Sequence, residues 1–166
     1  ELNGYVEYRQ PAGPTAGRLF ARLARLTIGP NTAQEVETLL DEQPASIPAL
    51  DIVVDDFELR GKKLGRIDID AVNLAAINSA SKEAPREWRL NRFNITTPEA
   101  VFTANGNWTN IVALNEPLGQ RSARERRRTA LKFKLDINDA GALLERFGMP
   151  GVVRNGAGKI EGRIGW

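Results

Sequence analysis

The stretch "IVVDDFEL", residues 52 to 59, places its apolar side chains at Ile52, Val54, Phe57 and Leu59. Two steps of two are separated by one step of three. Alternation at a spacing of two is the mark of a strand with one apolar face. One extra residue moves every later side chain to the opposite face unless a bulge restores it. The same offsets recur in "WRLNRFNI" (88–95), at Trp88, Leu90, Phe93 and Ile95. They recur again in "ARLARLTI" (21–28), at Ala21, Leu23, Leu26 and Ile28. Helical spacing fits these stretches worse, and the β-branched residues and aspartates of "DIVVDDF" make a poor helix. Each unit therefore reads as a bulged strand, or as two short strands joined by a kink.

Other stretches alternate without the slip. "KLGRIDIDA" puts Ile67, Ile69 and Ala71 on one face, with Arg66, Asp68 and Asp70 on the other. "AVFTANGNW" sets Phe102, Ala104, Gly106 and Trp108 against Thr103, Asn105 and Asn107. "LKFKLDI" sets Leu131, Phe133, Leu135 and Ile137 against Lys132, Lys134 and Asp136. "GKIEGRIGW" aligns Ile160, Gly162, Ile164 and Trp166. Strands with one greasy and one polar face belong to an antiparallel sheet that is wet on one side. The fold class read here is mainly β, a twisted and curved antiparallel sheet with one or two short helices.

Turns fall between these units. "RGKK" (60–63) joins a bulged strand to a plain one as a hairpin, and "TTPEA" (96–100) does the same for the next pair. A bulged strand, a turn and a plain strand recur as a module of roughly 35 residues. In "NDAGALLERFGMP", Asn138 or Asp139 can cap a short helix near 139–147 with Leu143, Leu144 and Phe147 on its apolar face. Gly148 suits its C′ position and Pro150 prevents continuation. "TAQEVETLLDEQ" (32–43) has Val36, Leu39 and Leu40 at helical spacing, with Pro44 and Pro48 beyond it. Residues 75–86 and 110–128 carry little pattern and read as loops. The chain is thus expected to be one section of a longer repetitive structure: incoming strands and a helix over 1–48, then repeats over 49–166.

Composition narrows the chemistry. Cysteine and histidine are absent from the 166 residues, which removes thiol nucleophiles, disulfides, thiolate zinc sites and imidazole catalysis. A lack of cysteine fits an oxidising compartment, though cytosolic proteins can lack it too. No apolar run approaches the roughly 18 residues that a membrane-spanning helix needs. With no signal-peptide pattern and no initiator Met, the chain reads as a piece of something larger. Net charge is +2, from 23 basic and 21 acidic residues. "RSARERRR" (121–128) holds five arginines and one glutamate, and without it the balance is 18 against 20, or −2. The basicity is local.

Three groupings offer chemistry, and each has a plainer reading. Asp51, Asp55, Asp56, Asp68 and Asp70 include close pairs, as acid–base catalysis or a divalent cation would use. However, Asp68 and Asp70 alternate with Ile67 and Ile69, and 51–56 lacks calcium-loop spacing, so a solvated strand face is the better reading. "GAGKIEG" (156–162) superficially matches a phosphate loop, but Ile160 stands where Ser or Thr is required. The arginine run could touch nucleic acid or anionic headgroups. It lacks the interleaved aromatics of a base-stacking surface, so a solvated basic loop is the better reading than a nucleic-acid partner. Nothing resembles a nucleophile elbow or an S-x-x-K box. No catalytic residue, metal site or cofactor is assigned.

What remains is the apolar row itself. Its plain reading is the core of a sandwich or of a sheet covered by helices. Its functional reading is a greasy concave face that holds acyl chains. Periodicity alone favours the plain core.

Three stretches, "IPALDIVVDDFELRGKKLGRIDIDA", "EWRLNRFNITTPEAVFTANGNW" and "RTALKFKLDINDAGALLERFGMPGVVRNGAGKIEGRIGW", together resemble the later part of the YhdP proteins. These belong to the AsmA-like superfamily of Gram-negative envelope proteins. The resemblance covers about Ser46 to Trp166, with "GRLFARLARLTI" as a weaker upstream match. It implies a repeating, taco-like β-groove in the periplasm, part of a protein tied to the inner membrane by an N-terminal anchor. It also implies a non-enzymatic, bridge-like role in moving phospholipid toward the outer membrane, with acyl chains and neighbouring repeats as partners. The lipid-groove candidates are then Ile52, Val54, Phe57 and Leu59; Trp88, Leu90, Phe93 and Ile95; Phe102 and Trp108; and Leu131, Phe133, Leu135 and Ile137. The alternative is a scaffolding β-domain with an ordinary closed core.

Overall fold

A computed structural model describes residues 2–12, 16–29, 47–74, 86–111 and 126–165. Eight strands form one curved, open sheet in chain order: β1 (Leu2–Arg9), β2 (Arg18–Ile28), β3 (Ala49–Leu59), β4 (Lys62–Asn73), β5 (Arg86–Thr96), β6 (Ala100–Ile111), β7 (Arg126–Ile137) and β8 (Gly158–Gly165). The helix α1 (Ala140–Arg146) lies between β7 and β8. Mainly-β architecture with a short helix is what the alternating stretches predict. The predicted helix over 32–43, the arginines at 121 and 124, and Trp166 lie outside the described residues.

The repeated rhythm is a set of bulges. In β3 the register slips between Val54 and Phe57, which pair with Ile67 and Gly65 on β4. In β5 it slips between Leu90 and Phe93, opposite Gly106 and Ala104 of β6. In β2 one extra residue, Ala24, lies between Leu23 and Arg25 while their β1 partners Gly4 and Asn3 are adjacent. Because β2 and β3 carry the same rhythm, their bulges coincide: Leu23 pairs with Val54 and Leu26 with Phe57. Bulges sharpen the right-handed twist of a sheet while holding its apolar face on one side.

Two sequence expectations need amending. The pair β2–β3 is parallel, whereas every other neighbouring pair is antiparallel. One wet face and one greasy face do not fix strand direction, so alternation could not reveal this. The segments 75–86 and 110–128, read as loops, contribute their ends to strands. Arg86 begins β5, β6 runs on to Ile111, and Arg126–Arg128 open β7 in register with Thr109–Ile111. Charged residues in a row show no apolar period, and only the partner strand reveals that the ladder continues.

Turn chemistry matches the sequence. Arg60 and Gly61 have φ of 51° and 76°, the doubly left-handed pair of a two-residue type I′ hairpin. Asp139 caps α1, its carboxylate accepting from the Ala142 N–H at 3.0 Å, and Gly148 follows with φ 82°. Since strands alternate in direction from β3 onward, the β3–β4 turn, the β5–β6 turn and α1 all sit at the same end of the sheet.

The core is one-sided. Val54, at 2% exposure, is its most buried large side chain, surrounded by Ala21, Leu23, Phe57 and Ile67. Leu26, Ile28, Ile52, Leu59, Leu64, Ile69, Phe93 and Ile95 pack around that cluster. Among the described residues, the extensive contacts between elements are all between sheet neighbours, so no second layer is laid over the sheet.

Candidate functional site

Register places the groove candidates together. One row crosses every strand: Val6, Ala21, Ile52, Ile69, Phe93, Ala104, Phe133 and Gly162 are successive cross-strand partners. A second row runs Leu23, Val54, Ile67, Ile95, Phe102, Leu135 and Ile160. A third joins Leu19, Leu50, Ala71, Leu90, Gly106, Leu131 and Ile164. Trp88 pairs with Trp108 below it, and Ile137 with Ala100 above it. Phe57 and Leu59 continue the face onto Leu26 and Ile28 of β2. All fourteen candidates therefore share one side. Facing side chains in such rows interact directly across neighbouring strands.

Aromatic rings pave the middle of this face. Phe102 meets Phe93 edge-on at 6.0 Å and stacks with Phe133 at 6.3 Å, both within the range of favourable aromatic pairs. The Phe133 ring also lies over Gly162, where any Cβ would collide with it. Exposure rises away from the β2–β4 cluster. Ile160 and Ile164 on β8 are 51% and 47% exposed, and Val6 on β1 is 45% exposed. Sequence reasoning left Val6, Ile160 and Ile164 out of the candidate set, although the alternation of "GKIEGRIGW" pointed to the β8 pair.

At the other end the chain enters β3 under the hold of this same face. Asn73, buried and paired with Trp88 across β4–β5, donates from Nδ2 to the Ile47 carbonyl at 2.6 Å. Trp88 donates from Nε1 to the Pro48 carbonyl at 3.1 Å. These two polar tips are satisfied by backbone, as buried polar groups must be.

The opposite face is not simply solvated: its carboxylates are tied to arginines on adjacent strands. Asp51 accepts from Arg22 at 2.6 Å and from Arg18 at 2.8 Å. Arg25 reaches Asp56 at 2.9 Å, Arg66 pairs with Asp55, and Arg92 reaches Asp68 at 3.1 Å. Lys134 and Lys159 share Asp136 at 2.7 and 3.3 Å. The Arg22 and Arg18 guanidiniums hold the Asp51 carboxyl below its ordinary range against the opposing effect of desolvation. Asp136 is lowered chiefly by Lys134, whose own ammonium is raised by the same contact. Shallow depressions of about 530 and 450 Å³ lie mainly among these polar side chains, around Asn105, Lys132 and Arg163. Among the described residues no group of three acidic side chains could hold a metal ion, and no helix is long and apolar enough to cross a membrane.

The described residues thus form an open, mostly antiparallel sheet with one apolar side and one side of charged pairs. The family model for the YhdP protein matches residues 1–166, and the chain belongs to that family of bacterial envelope proteins. No curated protein and no solved structure matches it.

Proposed function

We propose that the chain is a non-enzymatic section of a periplasmic, bridge-like phospholipid transport protein whose apolar face shields acyl chains from water. The observation that carries this reading is the continuity of the cross-strand apolar rows from β1 to β8, with exposure rising toward β8. Each methylene leaving water for such a face gains about 0.8 kcal/mol. A face that repeats strand after strand lets a chain slide with little change in that gain. Headgroups stay in water at the open edge, and no covalent step is involved. The ion-paired Asp51, Asp56, Asp68 and Asp136 lie on the other face and do not interrupt the path.

A scaffolding domain with a closed core is the second reading, and the near-complete burial of Val54 favours it locally. The cluster around Val54 spans β2–β4, and the buried apolar residues beyond it are the small Ala100 and Ala104 of β6, whereas the β8 side chains of the same rows are about half exposed. Native mass spectrometry of protein purified without detergent distinguishes the two. Co-purifying phospholipid is expected; a lipid-free chain that also fails to take up lipid from vesicles contradicts the transport reading.

A further inference from the structure

On the polar face, described basic side chains almost everywhere meet carboxylates, from Arg18 and Arg22 on Asp51 to Lys134 and Lys159 on Asp136. One cross-strand row departs from this pattern. Asn105, Lys132 and Arg163 are direct partners across β6, β7 and β8. All three are exposed, and none has a hydrogen-bond or ion-pair partner among the described residues. Two cations facing each other across strands about 5 Å apart repel. The rows on one side do not share the excess: Lys134 faces Glu161, and Asp136 faces Lys159. On the other side the row is Asn107, Ala130 and Gly165, without charge. Both depressions on this face are bordered by the same three side chains, with Thr103 and Asn107 as further neutral polar groups. Of the acids bordering the depressions, Glu87 is held by Arg89, and Glu161 faces Lys134, whose ammonium reaches Asp136.

We propose that Asn105, Lys132 and Arg163 form a binding site for a phosphate-bearing ligand on the polar face of the sheet. An amide, an ammonium and a guanidinium on adjacent strands, bordering the same depressions, offer neighbouring donors to a tetrahedral oxyanion. The ligand's charge relieves the repulsion between the two cations, and hydrogen bonds to charged groups are the strong ones. The site does not depend on acyl binding, because it lies on the opposite face from the apolar rows.

The test is an NMR titration of the 166-residue chain with inorganic phosphate, run at constant ionic strength against sodium chloride. The Asn105 side-chain amide and the Arg163 Nε–H are expected to shift saturably. Lys132→Gln and Arg163→Gln should each weaken binding about tenfold, while Lys134→Gln keeps it. Shifts no larger than those with chloride, or an equal loss in Lys134→Gln, overturn the site. Co-sedimentation separates the sources of phosphate. Pelleting with phosphatidylcholine vesicles that contain phosphatidic acid, but not with phosphatidylcholine alone, and only when Lys132 and Arg163 are present, assigns a lipid headgroup. Phosphate binding without such pelleting assigns a soluble phosphate ester.

Discussion

Arg146 grips Glu99 with two parallel hydrogen bonds, Nε to Oε2 at 2.8 Å and Nη2 to Oε1 at 2.6 Å. The two side chains are only 22% and 14% exposed, and the Glu99 carbonyl also accepts from the Asn138 and Asp139 N–H groups. One residue of the β5–β6 turn thus holds both ends of α1, the N-terminus through its backbone and the last turn through its carboxylate. Glu99→Ala is expected to lower stability by about 1–2 kcal/mol, since a half-screened bidentate pair is worth more than a surface ion pair. Urea unfolding measures it. An unchanged midpoint would show that α1 is held by its apolar contacts alone.

Acid should loosen the same clamp. Arg146 holds the Glu99 carboxyl below its ordinary range, and Arg22 and Arg18 do the same for Asp51. A lowered folded pKa means that the unfolded chain binds more protons. The stability these groups add is therefore complete above the ordinary carboxylate range and is lost as pH falls through their lowered values. Urea midpoints should fall on acidification, and the fall should be shallower in Glu99→Gln and Asp51→Asn. A midpoint that rises on acidification would contradict the pairing.

Gly65 has φ +78°, and a Cβ there would strike the Thr96 carbonyl of β5. Gly65→Ala is expected to cost about 1–3 kcal/mol, from backbone strain and forced separation of β4 from β5. Thermal denaturation reads it, with Gly61→Ala as a comparison: that glycine shares the positive φ, at 76°, but has open space around it.

Much of this could be read from the apolar spacing. The odd step of three in "IVVDDFEL" marked the bulge that the Val54–Phe57 slip displays, and the hairpin at Arg60–Gly61 and the Asp139 cap followed from local chemistry. What the spacing could not carry was anything that depends on which strands meet. The parallel β2–β3 pair, the Arg25–Asp56 and Arg92–Asp68 pairs, and the row of Asn105, Lys132 and Arg163 arise only from register between distant segments. The aspartates of this face are solvated, as their alternation predicts, and their arginine partners come from that same register. For the candidate site, alternation indicated which side chains share a face, but the gradient of exposure from Val54 to Ile160 depends on how the sheet curves and what approaches it.

Charge placed on the apolar face should have opposite consequences at its two ends. Val54→Asp buries an unpaired carboxylate in the tightest cluster and is expected to unfold the chain, a loss of about 3 kcal/mol or more. Phe133 is half-buried beside Gly162 near the open edge. Phe133→Asp is expected to leave a folded sheet by circular dichroism while reducing phospholipid uptake from vesicles. Unfolding of both variants would instead describe one closed core.

Leu135 and Lys134 are chain neighbours on opposite faces of β7: Leu135 pairs with Phe102 and Ile160 in the apolar row, and Lys134 reaches Asp136 at 2.7 Å. A photo-crosslinking side chain at each position, illuminated in living cells, asks directly whether hydrocarbon meets this face. Phospholipid adducts at 135 and none at 134 are the expected result. Equal labelling at the two positions, or protein adducts alone at 135, would contradict an acyl path along this face.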